Sequence, residues 1–153
     1  MGGTPVALWV TMIAMTPETQ SLPTIMIADC DEDERCLLRA TLELKGFSVL
    51  EAGDGQQAFD LALQSHLDLI LIELKLPVIS GFTVIRRLQK FARLRQTPII
   101  ALSLNKPISN RRLALAAGCA AHLNKPIAFD ELDCLLDRLL PHARAELAST
   151  LVH

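Results

Sequence analysis

The stretch Asp68-Leu-Ile-Leu-Ile-Glu-Leu-Lys-Leu-Pro77 decides the fold. Its first half is apolar without alternation, the pattern of a strand buried on both faces of a parallel sheet. It runs straight into a carboxylate, Glu73. Four more short aliphatic or β-branched runs surround it, at residues 24–28, 47–50, 98–102 and 120–123. Between the runs lie stretches of helical period. Leu37, Leu38, Thr41, Leu42 and Leu44 carry the first, and Ala58, Leu61, Ala62 and Leu63 the second. Phe82, Ile85, Leu88 and Phe91 carry the third, with Phe82 and Phe91 expected in the core; Leu113, Leu115 and Ala116 carry the fourth. Leu132, Leu135, Leu136 and Leu139 carry the last. Gly46 and Gly118 sit where helices should end, and Asp54-Gly55 where one should open. Five βα units of this kind predict an α/β fold, a parallel sheet with right-handed crossovers and helices on both faces.

Composition agrees with one domain. The chain has 153 residues, of which 50% are hydrophobic and 21% charged, which excludes a disordered chain. A net charge of −2 offers no basic excess for nucleic acid or an anionic membrane. Cys30, Cys36, Cys119 and Cys134 form no C-x-x-C pair, so reduced thiols in a cytoplasm are expected. Residues 6–15 are apolar, but the first 23 residues hold no Lys or Arg and only one acid, Glu18. They suit neither a secretory signal nor a membrane span. The expected division is an N-terminal extension or start-site artefact at 1–22, with Met12 or Met15 as the true start, a domain at 23–140, and a tail at 141–153 beyond the stop at Pro141.

In open parallel sheets, chemistry gathers beyond the carboxyl ends of the strands. The first such end reads Asp29-Cys30-Asp31-Glu32-Asp33-Glu34, five acids in six positions. That loop repels phosphate, which counts against a flavin or dinucleotide enzyme, where glycines and hydroxyls belong. A calcium loop fails too, because Glu34 stands where glycine is required and Ala40 where the closing Glu belongs. For Asp31 to Glu34 the favoured role is complementing a helix dipole, worth about 0.3–1 kcal/mol each. Asp29, at the strand tip, fits that role less well. Glu73, Ser103 and Lys125 fall at the ends of the third, fourth and fifth strands. Beside the acidic loop they make one polar pocket.

Over residues 24–140 the chain resembles a response-regulator receiver domain, CheY-like, of two-component signalling. The resemblance is carried by the acidic first loop, Asp68 to Pro77 with Gly81, and Glu51-Ala-Gly-Asp-Gly55. Pro98 leading to Ser103, and Ala117-Gly118 leading to Lys125-Pro126, complete it. It implies a (βα)5 flavodoxin-like three-layer sandwich with strand order 2-1-3-4-5. It also implies phosphorylation of one Asp at the end of the third strand, with Mg²⁺ held by that Asp and by acids after the first. Carried over, Asp29 matches the first of the metal-binding acids, Ser103 the hydroxyl and Lys125 the lysine. His122 falls where an aromatic switch residue is usual.

Two positions depart. Cys30 stands in place of the second acid, and a neutral thiol is a poor ligand for hard Mg²⁺. Glu73 stands in place of the phosphoacceptor, and its extra methylene moves the carboxylate by about 1.5 Å. Misplacement on that scale can cost about 10²-fold. The expectation is therefore a stand-alone, degenerate receiver in the acidic pocket of Asp29, Cys30 and Asp31, with Mg²⁺ binding weak or lost, only Asp29 and Glu73 left as metal-binding acids, and no enzyme activity. Glu73 is expected within reach of Lys125 and Ser103 and paired with Lys125. Output is expected through a protein partner on the face of the fourth helix, fifth strand and fifth helix, which also supports a homodimer in related domains. The alternatives are a working Mg²⁺-dependent phosphoacceptor and a redox switch at Cys30. Cys36, Cys119 and Cys134 read as small packing residues, and His122 as a hydrogen-bonded imidazole. Arg86, Lys90 and Arg93 share a helical face that reads as solvated, not as a DNA site.

Overall fold

The computed structural model describes residues 22–104 and 108–141. The N-terminal extension and the tail, apart from Leu22 and Pro141, lie outside the described residues. The strands are β1 (Thr24–Ala28), β2 (Ser48–Ala52), β3 (Leu69–Glu73), β4 (Ile99–Leu104) and β5 (Ala121–Lys125). Between and after them run α1 (Glu32–Leu44), α2 (Gly55–Gln64), α3 (Gly81–Leu88), α4 (Ile108–Ala116) and α5 (Phe129–Leu139). A single helical turn, Ala92–Arg95, follows α3. All strand pairs are parallel, in the order β2-β1-β3-β4-β5. This is the (βα)5 flavodoxin-like order.

Every residue of β3 is buried, because the strand feeds two cores at once. Leu69 and Leu71 face one side, with Leu38 and Leu42 of α1 and Leu132 and Leu136 of α5. Ile70 and Ile72 face the other, with Ala58 of α2, Val84 and Leu88 of α3 and Ala114 of α4. Three layers follow from that split.

Helix starts are set by short polar side chains. Asp31 accepts from the backbone N–H groups of Asp33 and Glu34, Asp54 from Gln57, and Ser80 from Thr83. Gly46 and Gly118 take φ of 96° and 114° after α1 and α4, a region that glycine enters without steric cost.

Several expected positions differ. β3, β4 and β5 run one or two residues beyond their apolar runs, so Glu73 and Lys125 are the last residues of their strands and Ser103 the next to last. Leu37 and Leu44 of α1 are exposed while Leu38 and Leu42 are buried. On α4 Leu113 and Leu115 are exposed and Ala114 is buried, since a small residue lets the helix lie close to the sheet. Phe91 lies beyond α3, is 42% exposed, and meets the ring of Phe59 at 6.3 Å instead of entering the core. Cys119 packs inside as expected, but Cys36 and Cys134 are exposed.

Gly81 opens α3 against the end of β3. A Cβ there would stand 2.2 Å from the carbonyl oxygen of Glu73 and 2.9 Å from Leu74 Cα, both backbone atoms. At Gly53 the nearest atom would be a flexible Arg35 nitrogen at 3.4 Å. Gly81→Ala is therefore expected to lower stability by about 1–3 kcal/mol. Gly53→Ala should stay within about 0.5 kcal/mol of the parent. Urea unfolding of the two variants checks the contrast.

Candidate functional site

Three strand ends and one loop meet at the carboxyl edge of the sheet. The run of β1 stops at Ala28, and Asp29 turns inward with no solvent exposure. Its N–H donates to the carbonyl of Ala52, which ties the loop to β2. β3 delivers Glu73, 6% exposed, and β5 delivers Lys125, 5% exposed.

Lys125 is the centre. Its Nζ donates to Asp29 Oδ2 at 2.6 Å, to Glu34 Oε2 at 2.6 Å and to Glu73 Oε1 at 3.1 Å. All three donor positions of the ammonium are used. Burial works against the charged form, but the hydrogen bonds to Asp29, Glu34 and Glu73 outweigh it and hold the Lys125 pKa above its ordinary value. The expected Glu73–Lys125 pair is present, as one of three contacts.

The second oxygens of Asp29 and Glu73 are taken too. Asp29 Oδ1 accepts from the Asp31 N–H at 2.8 Å. Glu73 Oε2 accepts from the Cys30 N–H and from the Cys30 thiol, each at 3.2 Å. Burial pushes the Cys30 thiol up, and the hydrogen bond and charge of Glu73 push it further, so the neutral thiol is favoured.

Two expected members of the pocket play other parts. Asp31 turns its carboxylate to the α1 backbone as a cap, not into the pocket. Ser103 lines a cavity of about 80 Å³ with Glu73 but has no hydrogen bond to it. Instead its hydroxyl pairs with His122 Nε2 at 2.6 Å. Burial first, then the charge of Arg111, lowers the His122 pKa, which keeps the ring neutral near pH 7.

Glu34 and Arg35 were not expected here. Glu34 does more than complement the helix dipole, since it grips Lys125. Arg35 donates from Nη1 to the carbonyl oxygen of Asp29 at 2.7 Å and from Nε to Glu51 at 3.3 Å. Their place in the first turn of the helix that follows β1 is the signal the sequence carries for them.

Asp29, Cys30 and Glu73 bring three ligand atoms within 4.8 Å of one another, the one such group among the described residues. Three carboxylates around one ammonium leave excess negative charge, which attracts cations in general. The donors nevertheless suit Mg²⁺ poorly. That ion takes about six oxygens in strict octahedral geometry. Here one donor is a soft thiol, and both buried carboxylates already accept from Lys125 and from neighbouring donors.

The pattern of the response regulator receiver domain matches residues 25–137. The chain belongs to that family. The polar-differentiation response regulator DivK of Brucella ovis is 33% identical over 104 residues, 68% of this chain and 85% of that protein. The DNA-binding dual master transcriptional regulator RpaA of Synechocystis is 33% identical over 111 residues, 72% of this chain but 46% of that protein. Among solved structures, the receiver domain of sensor histidine kinase PA1611 from Pseudomonas aeruginosa is 30% identical with a TM-score of 0.72, over 78% of this chain and 98% of that one. The chemotaxis response regulator CheY4 of Vibrio cholerae is 25% identical with a TM-score of 0.73, over 78% and 100%.

Lys125→Met would strand two buried carboxylates, a change that typically costs about 3–5 kcal/mol. Because the folded pKa of Lys125 is raised, its contribution is complete below the ordinary lysine value of 10.5 and falls only as pH rises beyond it. The stability gap between parent and variant, from urea unfolding, should thus be level from neutral pH to about 10 and shrink in stronger alkali.

Proposed function

We propose that this receiver domain signals by binding a protein partner without passing through a phosphorylation cycle. One observation carries the reading: Asp29 and Glu73, the two acids left to hold a metal ion, already accept on both oxygens, from Lys125 and from the Asp31 N–H and the N–H and thiol of Cys30. The charge of Glu73 stands in part for an acyl phosphate, with one charge and two oxygens against nearly two charges and three. The longer side chain and the Cys30 thiol both work against transfer. In the similar PA1611 receiver domain a magnesium ion is coordinated in the active site cleft. Residual Mg²⁺ binding here would fall to Asp29 and Glu73, and we expect it to be weak.

Output is assigned to the face of α4, β5 and α5. A cleft of about 670 Å³ opens there between Arg111 and Leu115 of α4, His122 of β5, and Cys134, Leu135 and Arg138 of α5. Its mixed apolar and charged lining suits a protein partner or a second copy. His122 links that cleft to Ser103, one strand away from Glu73. No helix among the described residues is long and apolar enough to cross a membrane.

A redox switch at Cys30 draws no support, because reactive thiols have lowered pKa values and this one is raised. The phosphoacceptor alternative is decided by experiment. With a small-molecule phosphodonor and Mg²⁺, the parent should label at least about 10²-fold more slowly than the Cys30→Asp, Glu73→Asp double variant, by intact-mass spectrometry. Pull-down of a partner by the parent should be the same with and without donor. Stoichiometric, hydroxylamine-labile phosphate on Glu73 would refute the proposal.

A further inference from the structure

The charges of this chain are sorted along its sequence. Residues 74–129 contain no Asp or Glu and ten of the 15 Lys and Arg residues. Residues 29–73 contain eleven acids and three bases. The small net charge of −2 therefore hides two strongly charged halves.

The fold puts the exposed acids that open α1 and the exposed bases of α3 and α4 on opposite sides of the sheet. α1 lies over the layer of Leu69 and Leu71, and exposes Asp31, Glu32 and Asp33 in its opening turn. α3 and α4 lie over the layer of Ile70 and Ile72, and expose Arg86, Lys90 and Arg112 on or beside these helices. Neither set is neutralised within the fold. The three bases of the acidic half are already committed, Arg35 and Arg39 to Glu51 and Lys45 to Asp133. Among the described residues Arg86, Lys90 and Arg112 form no ion pair. α2 shares their layer, but Asp54 there caps its helix and Asp60 accepts from Gln56.

We propose that the basic face of α3 and α4 binds the acidic opening turn of α1 on a second copy of this chain, head to tail. Like faces repel, so a symmetric dimer through either face is disfavoured, whereas unlike faces attract. Because the two faces lie on opposite layers, one molecule cannot close the contact on itself. A contact between different patches leaves each copy with a free face at either end and so builds chains or rings. A net charge near zero adds little general repulsion between copies. This contact is independent of the phosphorylation chemistry and uses a different surface from the cleft between α4 and α5.

Sedimentation of the full chain at 0.1 M and 1 M NaCl tests it, since the screening length falls from about 10 Å to about 3 Å. The parent should associate at low salt, at least about tenfold more tightly than at high salt. Arg86→Glu with Lys90→Glu, and separately Glu32→Lys with Asp33→Lys, should each give a monomer with unchanged circular dichroism. An equimolar mixture of the two variants should associate again, which a folding defect could not produce. Three results would overturn the proposal: a parent that is monomeric at low salt, association indifferent to salt and to both variants, or a mixture that stays monomeric. A monomeric parent that instead binds an oligonucleotide in a salt-dependent way would assign the basic face to nucleic acid.

Discussion

The site depends on one buried ammonium. Lys125 lies at the end of β5 with Asp29, Glu34 and Glu73 on its three protons. Taking such charges out of water costs several kcal/mol per ion, so the arrangement survives only if each polar atom is satisfied. It is: Asp29 and Glu73 have donors on both oxygens, supplied by Lys125, by the Asp31 N–H, and by the N–H and thiol of Cys30. Every substitution near this point has to be read through that closed network. Glu73 and Cys30 belong to one network, because the N–H and thiol of Cys30 donate to the Glu73 oxygen that the lysine leaves over.

The sheet explains how residues so far apart in sequence meet. Lys125 and Asp29 are 96 residues apart, yet parallel pairing in the order β2-β1-β3-β4-β5 brings all strand ends to one edge. β3 lies between β1 and β4, which places Glu73 centrally. Gly81 then holds the start of α3 against the Glu73 carbonyl, so the strand end cannot shift without moving a helix. Fold and site are coupled at these positions.

The apolar run that ends in Glu73 was enough to reveal a doubly covered parallel strand, and glycine and proline punctuation gave the alternation of strands and helices. The charged residues at strand ends, and their meeting in one pocket, followed from that. Which leucine of a leucine-rich helix faces inward did not follow. Leu37, Leu38, Leu42 and Leu44 all satisfy a helical period, and only the tilt of α1 on the sheet selects Leu38 and Leu42. The Ser103–His122 pair was hidden for a related reason. It depends on register, with Ala101 opposite His122 and Ser103 opposite Asn124, and register is not written in either strand alone. Glu34 was hidden because its partner is 91 residues away.

The central proposal is that this pocket, with Asp29 and Glu73 already bound to Lys125, holds magnesium weakly at most. Magnesium titration of the full chain, followed through backbone amide resonances in NMR spectra, tests it most directly. The account predicts that the amides of Cys30, Asp31 and Glu73 show no saturable shift through the millimolar range. Saturable, matching shifts at those three positions at low millimolar magnesium would contradict it.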